Sequence, residues 1–442
     1  MSVARCKGDH YDDLSRDRHD TCPFFSRPRL SALTFFVTLL LAAFSLSALQ
    51  ATPIHSDPND GGGVGGNAAS SPGPAYSWVS SVDGVSTATG NKLTEVPTVS
   101  WVARGGLVVD LTLYHNSENN VGSPSRGAKW ALLYDTNLKS DASGNVHMGW
   151  GNGNHYDFGY TGGSYTPPPG IHDRLVANGS PIASYDLIRK DQTDWHFAPY
   201  GSPAVFLLTS ISDENGNAIT INRTASGGML GLTDPTGRQV TFGYNSTYYT
   251  SITDPKGRVF SFGFDGSGNM SSVTYPTLNG TSYSLNLGYD SNHNITSIKD
   301  LRGNTATLSY NSADNSLAWE QDNAGNRTTF TYGYDGVRNI SNALATTVTD
   351  ANSHSTAYWY DNTGRLSAVY DALGYHDFYW FDGDNNLTQK QDRRGFNWNK
   401  TYDGMGNVLT ASDPYNNTTT IAARGLSPLG DRGIAASCEA GD

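Results

Sequence analysis

YDNTGRLSAVYDALGYHDFYWFDGDNNLTQKQDRRGFNWNKTYDGMGNVLTASDPYNN, residues 360 to 417, repeats one turn signature at near-constant intervals. Asp361-Asn-Thr-Gly364 is followed by Asp371-Ala-Leu-Gly374, Asp382-Gly-Asp-Asn385, Asp392-Arg-Arg-Gly395, Asp403-Gly-Met-Gly406 and Asp413-Pro-Tyr-Asn416, at steps of 10, 11, 10, 11 and 10 residues. Asp suits the first position of a type I turn because its carboxylate accepts a backbone N–H two residues on, and Gly or Asn suits the last because it tolerates φ > 0. A reversal at this spacing leaves about six or seven residues per strand, so the chain runs up and down. Tyr360, Phe381 and Tyr402 precede every second aspartate, which makes the true repeat 21 residues, a hairpin plus its connection. Alternation places Phe396, Trp398 and Tyr402 on one strand face and Asn397, Asn399 and Thr401 on the other, one side aromatic and one polar.

Composition agrees. Forty-nine glycines, 25 tyrosines and 16% charged residues describe short strands and tight turns, with no amphipathic helical run. The formal charge is −12, and the segment up to Ala51 carries six basic and five acidic residues, so the acidity belongs to the body. An acidic body without basic clusters argues against nucleic acid as a partner. Leu30 to Leu49 is the one long apolar run, preceded by Arg27 and Arg29. Residues 1–51 therefore read as a secretory signal, with a retained membrane anchor through 30–49 as the rival, and either places the body outside the cytoplasm. Residues 52–75 are a Gly/Pro/Ser linker. Cys6 and Cys22 precede the apolar run and Cys438 is almost terminal, so cleavage of the leader leaves no disulfide framework.

Residues 76–205 hold strand-like runs at Val99 to Val102, Leu107 to Tyr114, Trp130 to Asp135 and Val146 to Trp150, without the later periodicity. They predict a smaller β module, with Tyr165-Thr-Pro-Pro-Pro-Gly170 as a surface loop. The repeat then occupies 206–417. Its looser part carries Asp213-Glu-Asn-Gly216, Asp234-Pro-Thr-Gly237, Asp254-Pro-Lys-Gly257, Asp265-Gly-Ser-Gly268, Asp300-Leu-Arg-Gly303 and Asp322-Asn-Ala-Gly325, with expansions around Tyr275 to Leu287 and Val337 to Thr349. The expected fold is all-β, an antiparallel strand-turn-strand ribbon.

Tyr360-Asp-Asn-Thr-Gly-Arg-Leu366 and Tyr402-Asp-Gly-Met-Gly-Asn-Val408 closely resemble the Tyr-Asp (YD) repeat, Tyr-Asp-x-x-Gly-Arg/Asn-Leu, of bacterial Rhs proteins and animal teneurins. The resemblance covers Asp213 to Asn417. Thr89-Gly-Asn91, Leu111-Thr-Leu-Tyr-His-Asn-Ser117 and Trp130-Ala-Leu-Leu-Tyr-Asp135 are similar to the region that precedes Rhs repeats. The resemblance implies a ribbon that spirals into a hollow shell around a C-terminal effector, of which this chain makes part; coiling also hides sheet edges that would invite aggregation. Rhs proteins carry a self-cleaving core and an effector after the repeats, whereas residues 418–442 show no periodicity and read as a disordered or truncated tail.

Candidate chemistry is sparse. Asp234-Pro, Asp254-Pro and Asp413-Pro sit in the turn register, where Pro fixes φ, and read as turns rather than cleavage sites. His147, His155, His172 and His196 lack paired metal-ligand spacing. Asp382-Gly-Asp384-Asn-Asn386 offers alternate oxygens but lacks the sixth-position glycine and distal glutamate of an EF-hand. No nucleophile elbow or phosphate loop is present, and no catalytic residue, metal or cofactor is expected. Sequons such as Asn222-Arg-Thr, Asn279-Gly-Thr and Asn399-Lys-Thr follow from Asn/Thr-rich turns. The leading expectation is a non-enzymatic exported scaffold. The alternative is an adhesion module that stacks cell-surface glycan on Trp359, Trp380 and Trp398; a carbohydrate-active or self-processing enzyme is third.

Overall fold

The computed structural model describes residues 81–118, 124–201, 205–334 and 344–421. The expected leader, the linker, Cys6, Cys22, Cys438 and the tail beyond residue 421 lie outside the described residues. From Arg174–Asn178 to Thr418–Thr420 every strand pairs antiparallel with the next, so the chain is an all-β ribbon of consecutive hairpins. The ladder crosses the module boundary expected at residue 205 without interruption: Asp194–Tyr200 pairs with Val205–Ser212. The strands of residues 174–200 therefore belong to the ribbon. Thr418–Thr420, expected in the tail, is its last described strand. No pairing among the described residues joins that strand back to the first ones, and the sheet is open.

Strand lengths alternate. Ser355–Tyr360, His376–Phe381 and Asn397–Tyr402 have six residues; Leu366–Tyr370, Leu387–Gln391 and Val408–Ser412 have five. The reason is a β-bulge in each hairpin that joins a six-residue strand to a five-residue one here. Trp359 pairs with Ala368 and Tyr360 with Leu366, which leaves Ser367 over. Thr388 and Leu409 are left over in the same way in the next two repeats. The Ser367 and Thr388 hydroxyls donate to the carbonyls of Trp359 and Trp380 at 3.1 Å, so the extra residue closes its own gap in the ladder. Equivalent shifts recur at Gly243/Tyr244, Gly263/Phe264, Gly288/Tyr289 and Ser309/Tyr310, all on the same edge of the ribbon. A bulge bends and twists its strand, and repetition on one edge coils a ribbon one way.

The bulge also explains why an aromatic precedes Asp361, Asp382 and Asp403. Tyr360, Phe381 and Tyr402 sit opposite Leu366, Leu387 and Val408, and Tyr360 and Leu366 are buried in the main core. Burying each such side chain is worth about 1.5 to 3 kcal/mol. The expansion at Tyr275 to Leu287 is a long hairpin, Met270–Leu278 against Thr281–Tyr289. Pairing of Arg327–Tyr334 with Leu344–Thr349 keeps an unbroken register.

Residues 81–135 cover one face of the ribbon as a plug. Val85, Val96, Val109, Leu111, Trp130 and Leu132 share a continuous core with the ribbon's Ile221, Leu232, Ile252, Val273, Leu285 and Leu308. Polar ties accompany the packing. Trp101 Nε1 donates to Asp234 at 3.1 Å, Trp130 Nε1 to the Tyr289 hydroxyl at 3.0 Å, and Lys92 Nζ lies 2.6 Å from Glu320. Burial fades toward Asn397–Tyr402, Val408–Ser412 and Thr418–Thr420. A flap of short strands, Asn137–Ser140 to Ser164–Thr166, branches from the ribbon where Leu138 pairs with Phe206.

Candidate functional site

Each turn is built from its aspartate outward. Asp361 Oδ1 accepts the N–H groups of Thr363 (2.9 Å) and Arg365 (3.0 Å), Oδ2 accepts from Arg365 Nε (2.8 Å), and Gly364 N–H closes onto the Asp361 carbonyl at 3.0 Å. Asp322, Asp382, Asp403 and Asp413 repeat the scheme, with Asn in place of Arg. Asp371 and Asp392 likewise each accept two backbone N–H groups. The closing position is left-handed throughout, from Gly237 (φ 82°), Gly257 (75°) and Gly325 (90°) to Gly374, Gly395 and Gly406, and Asn385 and Asn416 replace glycine there. The buried turns go further. Desolvation raises the Asp234 carboxyl, but hydrogen bonds from Thr236, Arg238 and Trp101 outweigh it and hold the group well below the usual carboxylate range. Asp254 accepts the same kind of pair from Arg258.

The ribbon's far turns meet the Pro-rich loop. Asn385 Nδ2 donates to the Pro169 carbonyl at 3.0 Å, and Arg365 Nη1 donates to the Asp382 carbonyl (2.9 Å) and Asn385 Oδ1 (3.2 Å). A β-carbon on Gly170 would fall 3.2 Å from Asn385 Cβ, and one on Gly406 would strike the His172 ring. The loop expected at the surface is a clasp, because its three prolines need no ladder donors and its carbonyls are free to accept from a turn. Within Asp382-Gly-Asp384-Asn-Asn386 the turn itself occupies the Asp382 carboxylate, which accepts from Asp384 N–H, Asn386 N–H and Asn386 Nδ2.

The three candidate tryptophans do not form one platform. Trp359 is 3% exposed, whereas Trp380 and Trp398 are 42% and 45% exposed. Trp359 pairs with Ala368 and Ala368 with Phe378, and Phe378 packs on Trp380 at 5.8 Å, all on the face away from the main core. Trp398 pairs with Lys390, which pairs with the core residue Tyr379, so it lies on the opposite face. Both faces therefore carry aromatics here, where one aromatic and one polar face were expected. On the outer face, Trp359, Ala368, Tyr370, Phe378 and Trp380 line a groove of about 400 Å³ whose lining also includes the Asp361–Arg365 pair.

The histidines are dispersed. His147 Nδ1 faces Asp157 at 2.8 Å and His196 Nδ1 faces Asp186 at 2.5 Å, each across adjacent strands. His155 lines a cleft of about 880 Å³ with Arg126, Asp135, Arg223 and Tyr249. There Arg126 is bidentate to Asp135 (2.6 and 2.8 Å) and stacks 4.5 Å from the Tyr249 ring, and Arg223 donates to the carbonyls of Tyr134, Gly227 and Leu208. These cations hold the plug to the first repeats. Sequence reasoning missed them, together with Lys92, Trp101 and Lys129. Among them only Trp101, an indole inside a strand-like run, carried a signal; Arg126 and Lys129 fall in turns.

Neither protein-family models nor curated proteins match this sequence. Solved structures resemble it weakly. The crystal structure of TcdB2-TccC3 aligns with TM-score 0.35 and 10% identity over 76% of this chain and 22% of that one. That of TcdB2-TccC3-TEV aligns at 0.31 and 13% over 74% and 22%, and the Photorhabdus luminescens Tc holotoxin pore at 0.27 and 11% over 76% and 23%. This chain spans about a fifth of their length.

Proposed function

We propose that this chain is a wall segment of an exported, non-enzymatic shell of the Rhs/YD type. The observation that carries the reading is the bulge that recurs on one edge of the ribbon in alternate hairpins, the unshifted Arg327–Thr349 hairpin excepted, and coils a continuous ladder one way around the plug while the Pro169 clasp ties the far turns back to the first strands. Such a wall has value as a surface that shields what lies behind it, and the C-terminal side of the repeats is where the resemblance puts an effector. The test fuses a protease-sensitive reporter behind the full chain. Digestion slower than that of the same reporter on an unrelated carrier supports shielding; equal rates refute it.

The outer groove favours a second reading, attachment to glycan. Trp380 and Tyr370 offer flat apolar faces beside the Asp361–Arg365 pair, the combination a pyranose ring uses. On a glycan array, binding lost with Trp380→Ala and kept with Trp398→Ala, on the other face, would support it; no binding by the unaltered chain would dismiss it.

A further inference from the structure

Lys129 is buried where an ammonium ion has little to gain. It is 6% exposed, and among the described residues no carboxylate lies within ion-pair distance, in contrast to Lys92 with Glu320. Its Nζ faces two neutral oxygens instead, the Ser117 carbonyl and, at 2.7 Å, the side-chain Oδ1 of the fully buried Asn294. Asn294 is held rigidly. Its Nδ2 donates to Asp290 Oδ2 at 3.0 Å and to Asn315 Oδ1 at 2.9 Å. Lys129 itself adopts φ 65°, left-handed backbone that a side chain enters at a cost. Burying an unpaired ammonium is expensive, whereas an amide in the same place carries no charge.

We propose that Lys129 and Asn294 react with each other to form an intramolecular amide that welds the plug to the ribbon. Neutral Nζ attacks Cγ of Asn294, forming the Nζ–Cγ bond and moving an electron pair onto Oδ1. Once bonded to Cγ, Nζ sits beside Nδ2 and comes within reach of the Asp290 carboxylate that already accepts from Nδ2; Asp290 then takes one proton from Nζ and delivers it to Nδ2. The carbonyl re-forms, the Cγ–Nδ2 bond breaks and ammonia leaves; no oxidant or cofactor is required. Fixed contact between amine and amide supplies the effective concentration that the reaction lacks in solution. Burial brings the Lys129 amine down to about 8, with Asp290 and Glu118 opposing, so much of it is the neutral nucleophile in mildly alkaline medium. Two elements 165 residues apart in sequence would thus be joined in a fold with no described disulfide.

The test is the denatured mass of the purified full chain with a tryptic map. The expected result is a deficit of about 17 Da, one ammonia, and a branched peptide joining Lys129 to Asn294. Asn294→Ala should abolish the deficit, and Asp290→Asn should delay it under conditions where the unaltered chain is converted. An unmodified mass with Lys129 cleavable by trypsin overturns the proposal. So does a deficit that maps elsewhere, such as a succinimide at Asn279-Gly280.

Discussion

Replacing Lys92 by Met removes the cation from a buried pair and leaves Glu320 facing the core. Lys92 Nζ touches Glu320 Oε2 at 2.6 Å and the Asp83 carbonyl at 2.5 Å; both side chains are nearly inaccessible, and Glu320 Oε1 has no hydrogen-bond partner. Removing one member of such a pair costs about 3 to 5 kcal/mol, because the remaining charge is stranded. That is roughly two to three and a half powers of ten in the equilibrium between docked and released plug. The loss depends on pH with a definite sign. Desolvation already raises the Glu320 carboxyl, Lys92 opposes it, and without Lys92 the folded pKa climbs further above its unfolded value. A raised pKa gives stability that is present below the unfolded value and lost as pH rises through the folded one. Lys92→Met should therefore cost little near pH 4 and its full amount near pH 8. Hydrogen exchange of peptides from Leu93–Val96 and Leu317–Gln321 reports the equilibrium. The double variant Lys92→Met with Glu320→Leu should recover most of the loss, since a matched apolar pair pays no desolvation. Equal loss at both pH values, or a double variant no better than the single one, would refute the reasoning.

Gly374 has φ 84° and open space around its Cα, so Gly374→Ala should cost about 1 kcal/mol from backbone strain alone, and Ser353→Gly, at φ 65° in the matching position, should gain about as much; chemical denaturation decides. Asp234→Ala strands Trp101 Nε1 and two backbone donors and should cost about 2 to 3 kcal/mol, whereas Asp413→Ala in an exposed turn should cost far less. Because the folded Asp234 pKa is depressed, its contribution is present above the unfolded value near 3.9 and lost as pH falls below it, so the Asp234→Ala deficit should vanish in acid titrations. Trp359→Ala should cost about 3 to 5 kcal/mol and Trp380→Ala little, as thermal melts would show, since one is buried and the other is not.

The turns were legible because their chemistry is local: an Asp carboxylate meets its donors within four residues, and Gly364 or Gly406 closes the loop whatever lies beyond it. The faces were less legible. Simple alternation assumes an unbroken register, and the extra residues Ser367 and Thr388 shift the register once per repeat. Which aromatic face is covered depends on a plug far away in sequence: the Thr87 hydroxyl reaches the Tyr360 hydroxyl across 273 residues. The same holds for the Pro169 clasp and for Lys129 against Asn294. Side chains that link the plug to the ribbon carry no periodic signal because the plug itself does not repeat: one ribbon hairpin meets His115 and Trp130 from two of the plug's strands.

Spin labels at Leu373 and Tyr415 probe the ribbon directly. Both are exposed and occupy the same place in turns 42 residues apart, with Asp371 and Asp413 two residues before them. Four strand spacings of about 4.8 Å put the two sites roughly 20 Å apart. A narrow distance distribution near that value is expected from double electron–electron resonance; a broad distribution or one centred well beyond roughly 35 Å, as a chain without stacked hairpins would give, contradicts the coiled ladder.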